Sequence, residues 1–182
     1  MSLRLFAALD LPDDAAAPLL GMMKNLPGAK WRPRENLHLT LRFFGEVAEP
    51  VAEEIDAALA EVAAATRPFE VQLKGVGAFG KDLPHTLWVG VEKNAVLEKL
   101  AADCERAARR AGLKAEPRKF TPHVTLAYLG GMGAAQVNEF EQRWNLFEAP
   151  SFTAESFGLY SSWIRKSAPS LYRLEADYPL RG

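Results

Sequence analysis

The sequence predicts an α/β fold in which a βαβαβ unit occurs twice and is followed by a closing strand. Three observations predict it. The pattern His-x-Thr-Leu occurs at His38-Leu39-Thr40-Leu41 and again at His123-Val124-Thr125-Leu126. Hydrophobic periodicity switches repeatedly between the two-residue alternation of strands and the longer period of helices. The offsets between matching segments agree: 85 positions from residue 38 to 123, 83 from 69 to 152, and 83 from 3 to 86.

Taken in order, residues 3–9 are a short apolar run stopped by Asp10, Pro12 and Asp13, which predicts a buried strand. Residues 13–25 read as a helix that Pro18 kinks or opens. Residues 37–45 alternate, with Leu37, Leu39, Leu41 and Phe43 on one face and His38, Thr40, Arg42 and Phe44 on the other. An alanine-rich helix follows at 50–66, then a glycine-broken strand at 69–79. The order repeats with a strand at 86–91 and a helix from Asn94 to Gly112, a capping residue and a terminating glycine. Next come the second motif at 120–129, a helix at 134–144, a strand at 152–160 and a closing strand at 171–178. The expected organisation is one bilobal domain over 1–182, with pseudo-repeats at about 3–80 and 86–162. Two similar lobes related by a pseudo-twofold would put the two motif strands on opposite walls of one cleft.

The 182 residues can bury a sizeable core, and the net charge of −1 excludes a protein coated in cations for duplex binding. Any contact with nucleic acid is expected to be local. Cys104 is the only cysteine, which excludes an intrachain disulfide and predicts a buried, inert thiol. The first ten residues include Arg4 and lack a signal-peptide pattern, and no apolar run approaches a membrane span. The expectation is a cytoplasmic monomer without a membrane or an obligate protein partner.

Residues i and i+2 of a strand share a face, so His38 points with Thr40 and His123 with Thr125. Two imidazoles run acid and base chemistry together near neutral pH, and threonine hydroxyls bind phosphate oxygens. A solvated strand explains one such motif well. Two at matching places in a repeat, using two of only three histidines, point to a phosphodiester site. Neither tetrapeptide contains an acidic residue, and two histidines are a poor metal set, so neither a metal nor a cofactor is expected.

At these residues the chain resembles the 2H phosphoesterase superfamily, and within it the RNA 2′,3′-cyclic phosphodiesterases, also called 2′-5′ RNA ligases. The likeness extends to residues 4–9, 31–47, 87–91, 120–129 and 159–180. It implies a bilobal α+β fold with two mainly antiparallel sheets flanking a central cleft and helices outside. It also implies hydrolysis of an RNA 3′ end bearing a 2′,3′-cyclic phosphate, for example on a tRNA fragment, to a 2′-phosphate. His38 would then donate a proton to the departing 3′ oxygen, His123 would activate water, and Thr40 and Thr125 would hold the phosphate. Ligation to a 5′ hydroxyl would be the reverse kind of reaction. Many such proteins carry an arginine where Tyr128 stands here. Arg42 is the first candidate to replace it, followed by Arg118 and Lys119.

Other signals are weaker. Phe44, on the expected motif face, is a candidate to stack on a base. Lys30-Trp31-Arg32-Pro33-Arg34 mixes cations and an aromatic ring close to His38, as a nucleic-acid contact or as a strand end with a packed tryptophan. Residues 75–80 match G-x-G-x-x-G, but no helix opens there, so turns or bulges explain the glycines better than a dinucleotide site. His85 reads as a loop or strand-start residue, with substrate contact as the lesser alternative, and Arg165 and Lys166 as an exposed hairpin loop that could touch RNA. Two other readings stand beside RNA-end hydrolysis. One is a phosphodiesterase for 2′-5′ oligonucleotides or small cyclic nucleotides; the other is a non-catalytic RNA-end binding module.

Overall fold

The computed structural model describes residues 1–182. In chain order the elements are β1 (Ser2–Asp10), α1 (Asp13–Met22), β2 (Ala29–Trp31), a 3-10 turn (Arg34–Asn36), β3 (His38–Ala48), α2 (Glu49–Ala64), β4 (Phe69–Val71) and β5 (Leu73–Phe79). Then follow β6 (Thr86–Val91), α3 (Ala95–Arg110), β7 (His123–Leu129), α4 (Ala134–Trp144), β8 (Phe152–Ala154), β9 (Ser156–Trp163) and β10 (Leu171–Pro179). This is the expected α+β class, with four helices and antiparallel strand pairing throughout.

Local chemistry accounts for the elements that match expectation most closely. The Asn94 Oδ1 accepts hydrogen bonds from the backbone N–H groups of Val96 and Leu97, so α3 starts where a side-chain cap meets its free donors. Leu97, Leu100, Ala101, Cys104, Ala107 and Ala108 form its buried stripe. In α1, Pro18 is tolerated inside the helix, with Ala15, Ala16, Leu19 and Met22 buried.

The strand order is β10-β9-β1-β3-β7-β6-β5, with β2 on the outer end of β7; β4 and β8 form a separate two-stranded sheet. Each segment expected as a single strand at 69–79 and 152–160 is therefore two strands that serve different sheets. β5 pairs with β6, and β9 pairs with β1. Each half of the large sheet is thus built from both halves of the sequence. The two half-sheets, β10-β9-β1-β3 and β7-β6-β5, are hydrogen-bonded to each other through one residue pair, Leu39 and Val124. A single pair holds the strands together at one point and lets them diverge on either side; the face of this joint turned away from the core is the cleft face. The helices α2 and α3 pack against each other, and α3 also packs against β3. One continuous apolar core contains Leu39, Leu41, Val124 and Leu126 from the motif strands.

β3 departs from clean alternation. Its register with β1 shifts between Leu5 and Phe6 and again between Ala7 and Ala8, leaving an extra residue on β3 each time. The shift between Ala7 and Ala8, where Leu41 is the extra residue, reverses the expected facing of the residues that follow, including two phenylalanines. Phe43 is 40% exposed, whereas Phe44 is 7% exposed and part of the core.

Leu39 is fully buried at the joint between the half-sheets. Leu39→Ala is expected to lower unfolding free energy by about 2–5 kcal/mol, the range for emptying a core leucine site. Urea denaturation measures this directly.

Candidate active site

His38 opens β3 and His123 opens β7. On both strands the apolar neighbours are buried and the motif side chains are half-buried. The antiparallel register about Leu39 and Val124, continued by one residue each way, sets His38 alongside Thr125 and Thr40 alongside His123. All four therefore lie on the cleft face, opposite the core. The two histidines are close enough that the charge of His123 acts on His38.

Aromatic rings from other strands hold each imidazole. Phe6 stacks on His38 with centroids 4.9 Å apart and planes 24° from parallel. Tyr160 stacks in turn on Phe6 at 5.4 Å, and Tyr172 meets both Phe6 and His38 edge-on at 4.9 and 5.1 Å. Phe6 is buried yet lies outside the main core, on the cleft side of β1. In the other half-sheet, Phe79 meets His123 edge-on at 4.9 Å, and Trp88 lies 6.3 Å away. The Trp88 ring covers Gly77, where an added methyl would overlap it. Gly80 sits at φ +90°, against the Leu83 carbonyl. Two glycines of the G-x-G-x-x-G match thus serve ring packing and a tight turn, as expected for a sequence that leads into β6.

The protonation geometry of His123 is well defined. Its Nδ1 lies 2.7 Å from the Thr121 carbonyl oxygen, which only accepts, so Nδ1 carries the proton and donates it. In the neutral ring Nε2 is then a free base. Burial lowers the His123 pKa, the Thr121 hydrogen bond raises it, and Arg118 lowers it. His38 is displaced further, from 6.5 to about 4. Burial is the main cause; Arg32 and His123 act in the same direction and the Asn36 carbonyl opposes them. At neutral pH both rings of the protein alone are therefore uncharged.

The remaining sequence candidates separate. Phe44 does not face the cleft; the β3 bulge turns it into the core, which corrects its expected role as a base-stacking ring. Arg42 is corrected as well. Its side chain is 9% exposed and is held by the Glu105 carboxylate, the Phe43 carbonyl and the Lys114 carbonyl, with Glu116 at 3.9 Å. It ties β3 to α3 and to the loop before the second motif. Arg118 is exposed and pairs with Glu116 at 2.9 Å, while Lys119 is exposed on the same loop. Trp31 packs on Phe140 of α4 at 6.0 Å, and Arg34 donates to the Leu11 carbonyl and to Asp13. Arg32, passed over in the ranking of arginines, is the one that reaches the cleft. Its guanidinium lies 5.0 Å over the Tyr128 ring and within 3.5 Å of the Tyr172 hydroxyl. The signal for it was the basic-aromatic run at 30–34.

His85 bonds Thr86 Oγ1 at 2.8 Å at the start of β6, as a strand-start residue should. Cys104 is buried and its pKa is pushed up to about 12 by burial, which leaves an inert thiol. No helix is long and apolar enough to cross a membrane.

Comparison with known proteins places this architecture. The family model described as 2′-5′ RNA ligase superfamily matches residues 11–162. A protein of Aeropyrum pernix named RNA 2′,3′-cyclic phosphodiesterase is 36% identical over 148 residues, which is 78% of this chain and 83% of that protein. A protein of the same name from Thermotoga maritima is 30% identical over 191 residues, covering 99% of this chain and 97% of its own. The solved apo structure of Escherichia coli LigT superposes with a TM-score of 0.81 at 23% identity, over 100% of this chain and 99% of that one, a likeness of fold. The chain belongs to the 2′-5′ RNA ligase superfamily.

Arg42→Ala removes one side of a partly buried ion pair. It is expected to cost about 2 kcal/mol of stability, between the values for exposed and fully buried pairs. Turnover at a temperature well below unfolding should change less than tenfold. Urea denaturation and steady-state kinetics on the same variant check both statements.

Proposed function

We propose that the cleft hydrolyses the 2′,3′-cyclic phosphate at an RNA 3′ end to a 2′-phosphate, with the two histidines as its acid and base. The observation that carries this reading is the placement of two His-x-Thr pairs on the cleft face of adjoining strands, near enough for one imidazole to sense the other. The relatives' shared name supports the substrate.

In this reading Nε2 of His123 takes a proton from water as the water oxygen attacks phosphorus. The bond from phosphorus to the 3′ oxygen breaks, and His38 gives that oxygen its proton. The Thr40 and Thr125 hydroxyls donate to the non-bridging oxygens. A 5′ hydroxyl in place of water would give a 2′-5′ linkage by the same steps. His123 is the better base because its Nδ1 proton is engaged by Thr121, which leaves Nε2 unprotonated. His38 must gain a proton to act as acid. An anionic phosphate beside it offsets the burial and the Arg32 charge that hold its pKa near 4.

His38→Ala and His123→Ala are each expected to lower turnover of an oligoribonucleotide cyclic phosphate by about 10²–10⁴-fold, with near-native folding. Near-wild-type turnover in either variant overturns the assignment. Retained binding with no product from the wild-type protein in a single-turnover assay would favour an RNA-end binding module instead.

The pH dependence follows from the direction of both shifts. Both histidine pKa values are depressed below 6.5 in the free protein, so the form with one proton shared by the pair is already being lost below pH 6.5 and keeps declining above it. The kcat/KM profile is expected to fall steadily from pH 6.5 to 8. The kcat profile should fall at a higher pH, because bound anion restores the His38 proton. A flat kcat/KM over that interval would contradict the account.

A further inference from the structure

We propose that Arg32 is a substrate-binding residue whose guanidinium takes a non-bridging oxygen of the substrate phosphate at the joint between the two half-sheets. This deepens the function proposed above and rests on it. Other arginines near the motifs are neutralised by carboxylates: Arg34 by Asp13, Arg42 by Glu105 and Arg118 by Glu116. Arg32 instead meets an aromatic face and a phenol, Tyr128 at 5.0 Å and Tyr172 at 3.5 Å. Neither contact is a carboxylate, so no acidic side chain is paired with the guanidinium.

Its supports come from both sides of the cleft. Tyr128 lies on β7, the His123 strand, and Tyr172 on β10, where its ring touches His38 edge-on. The backbone agrees: the Arg32 N–H donates to the Leu126 carbonyl at 2.8 Å, at the end of the β2–β7 pairing. The guanidinium is thus held over the second motif strand while its charge reaches His38 in the first. A half-buried cation whose charge reaches His38, with spare donors in a planar fork, suits bidentate recognition of a phosphate. The same cation opposes a proton on His38, and a bound phosphate would relieve that opposition. The other titratable groups near His38 are His123, Tyr160, Tyr172 and Asp10, the last its partner across β1.

The test compares Arg32→Gln and Arg32→Lys with wild type on an oligoribonucleotide 2′,3′-cyclic phosphate, with inorganic phosphate as competitive inhibitor and thermal unfolding as the fold control. Arg32→Gln keeps a polar side chain of similar reach without the charge. It is expected to weaken phosphate inhibition about tenfold or more and to raise KM. It should also move the falling limb of kcat/KM to higher pH, a shift that a structural role alone would not give. Arg32→Lys should restore the charge effect on pH but only part of the phosphate affinity. Arg173→Ala, which removes a cation stacked on Trp163 at 5.1 Å, should match wild type. If Arg32→Gln unfolds, Arg32→Lys alone decides, because unchanged phosphate inhibition there overturns the fork argument. Wild-type phosphate inhibition and pH limb in a folded Arg32→Gln overturn the proposal by itself. If His38→Ala is active too, it is the proposed function that fails.

Discussion

The site depends on one joint, the pairing of Leu39 with Val124. Both residues are fully buried, and each directly follows a motif histidine. Antiparallel strands at such a pair present their flanking side chains on the opposite face, so burying the leucine and the valine turns both imidazoles and both threonines toward the cleft. The core thereby orients the polar groups, and only that single pair joins the two strands. A strand held by packing on its other face is a stiff mount for chemistry that tolerates little misplacement.

Around this joint the molecule invests in aromatic rings. Phe6, Tyr160 and Tyr172 surround His38, and Phe79 and Trp88 stand against His123. They fix ring orientation and exclude water, and exclusion of water is what depresses both histidine pKa values. In the proposed mechanism the two imidazoles become an acid-base pair when an anion enters, so that substrate binding and the protonation it requires would be one electrostatic event.

Much of this was legible in the residue order. The span of β6 and the span of α4 match the expected ones, and α3 begins at the expected cap, because short alternation, a buried stripe and an asparagine cap act locally. The motif residues were legible because strand alternation alone puts His38 with Thr40 and His123 with Thr125. The facing of Phe43 and Phe44 was not, since the bulge arises from the register against β1 and leaves no mark in β3 itself. Nor were the aromatic supports, which arrive from strands remote in the chain. Arg42 looked well placed by counting along β3, but Glu105 of α3 claims it. Arg32 lies six residues before the first motif, yet it stands over the second because β2 pairs with β7.

The most direct test of the central claim is a crystal structure with a nucleoside 2′-phosphate bound. The account predicts a single phosphate in the cleft with Nε2 of His38 and Nε2 of His123 both within hydrogen-bond reach of its oxygens or of the freed 3′ hydroxyl. A phosphate that engages one histidine while the other remains apart from the nucleotide would contradict it.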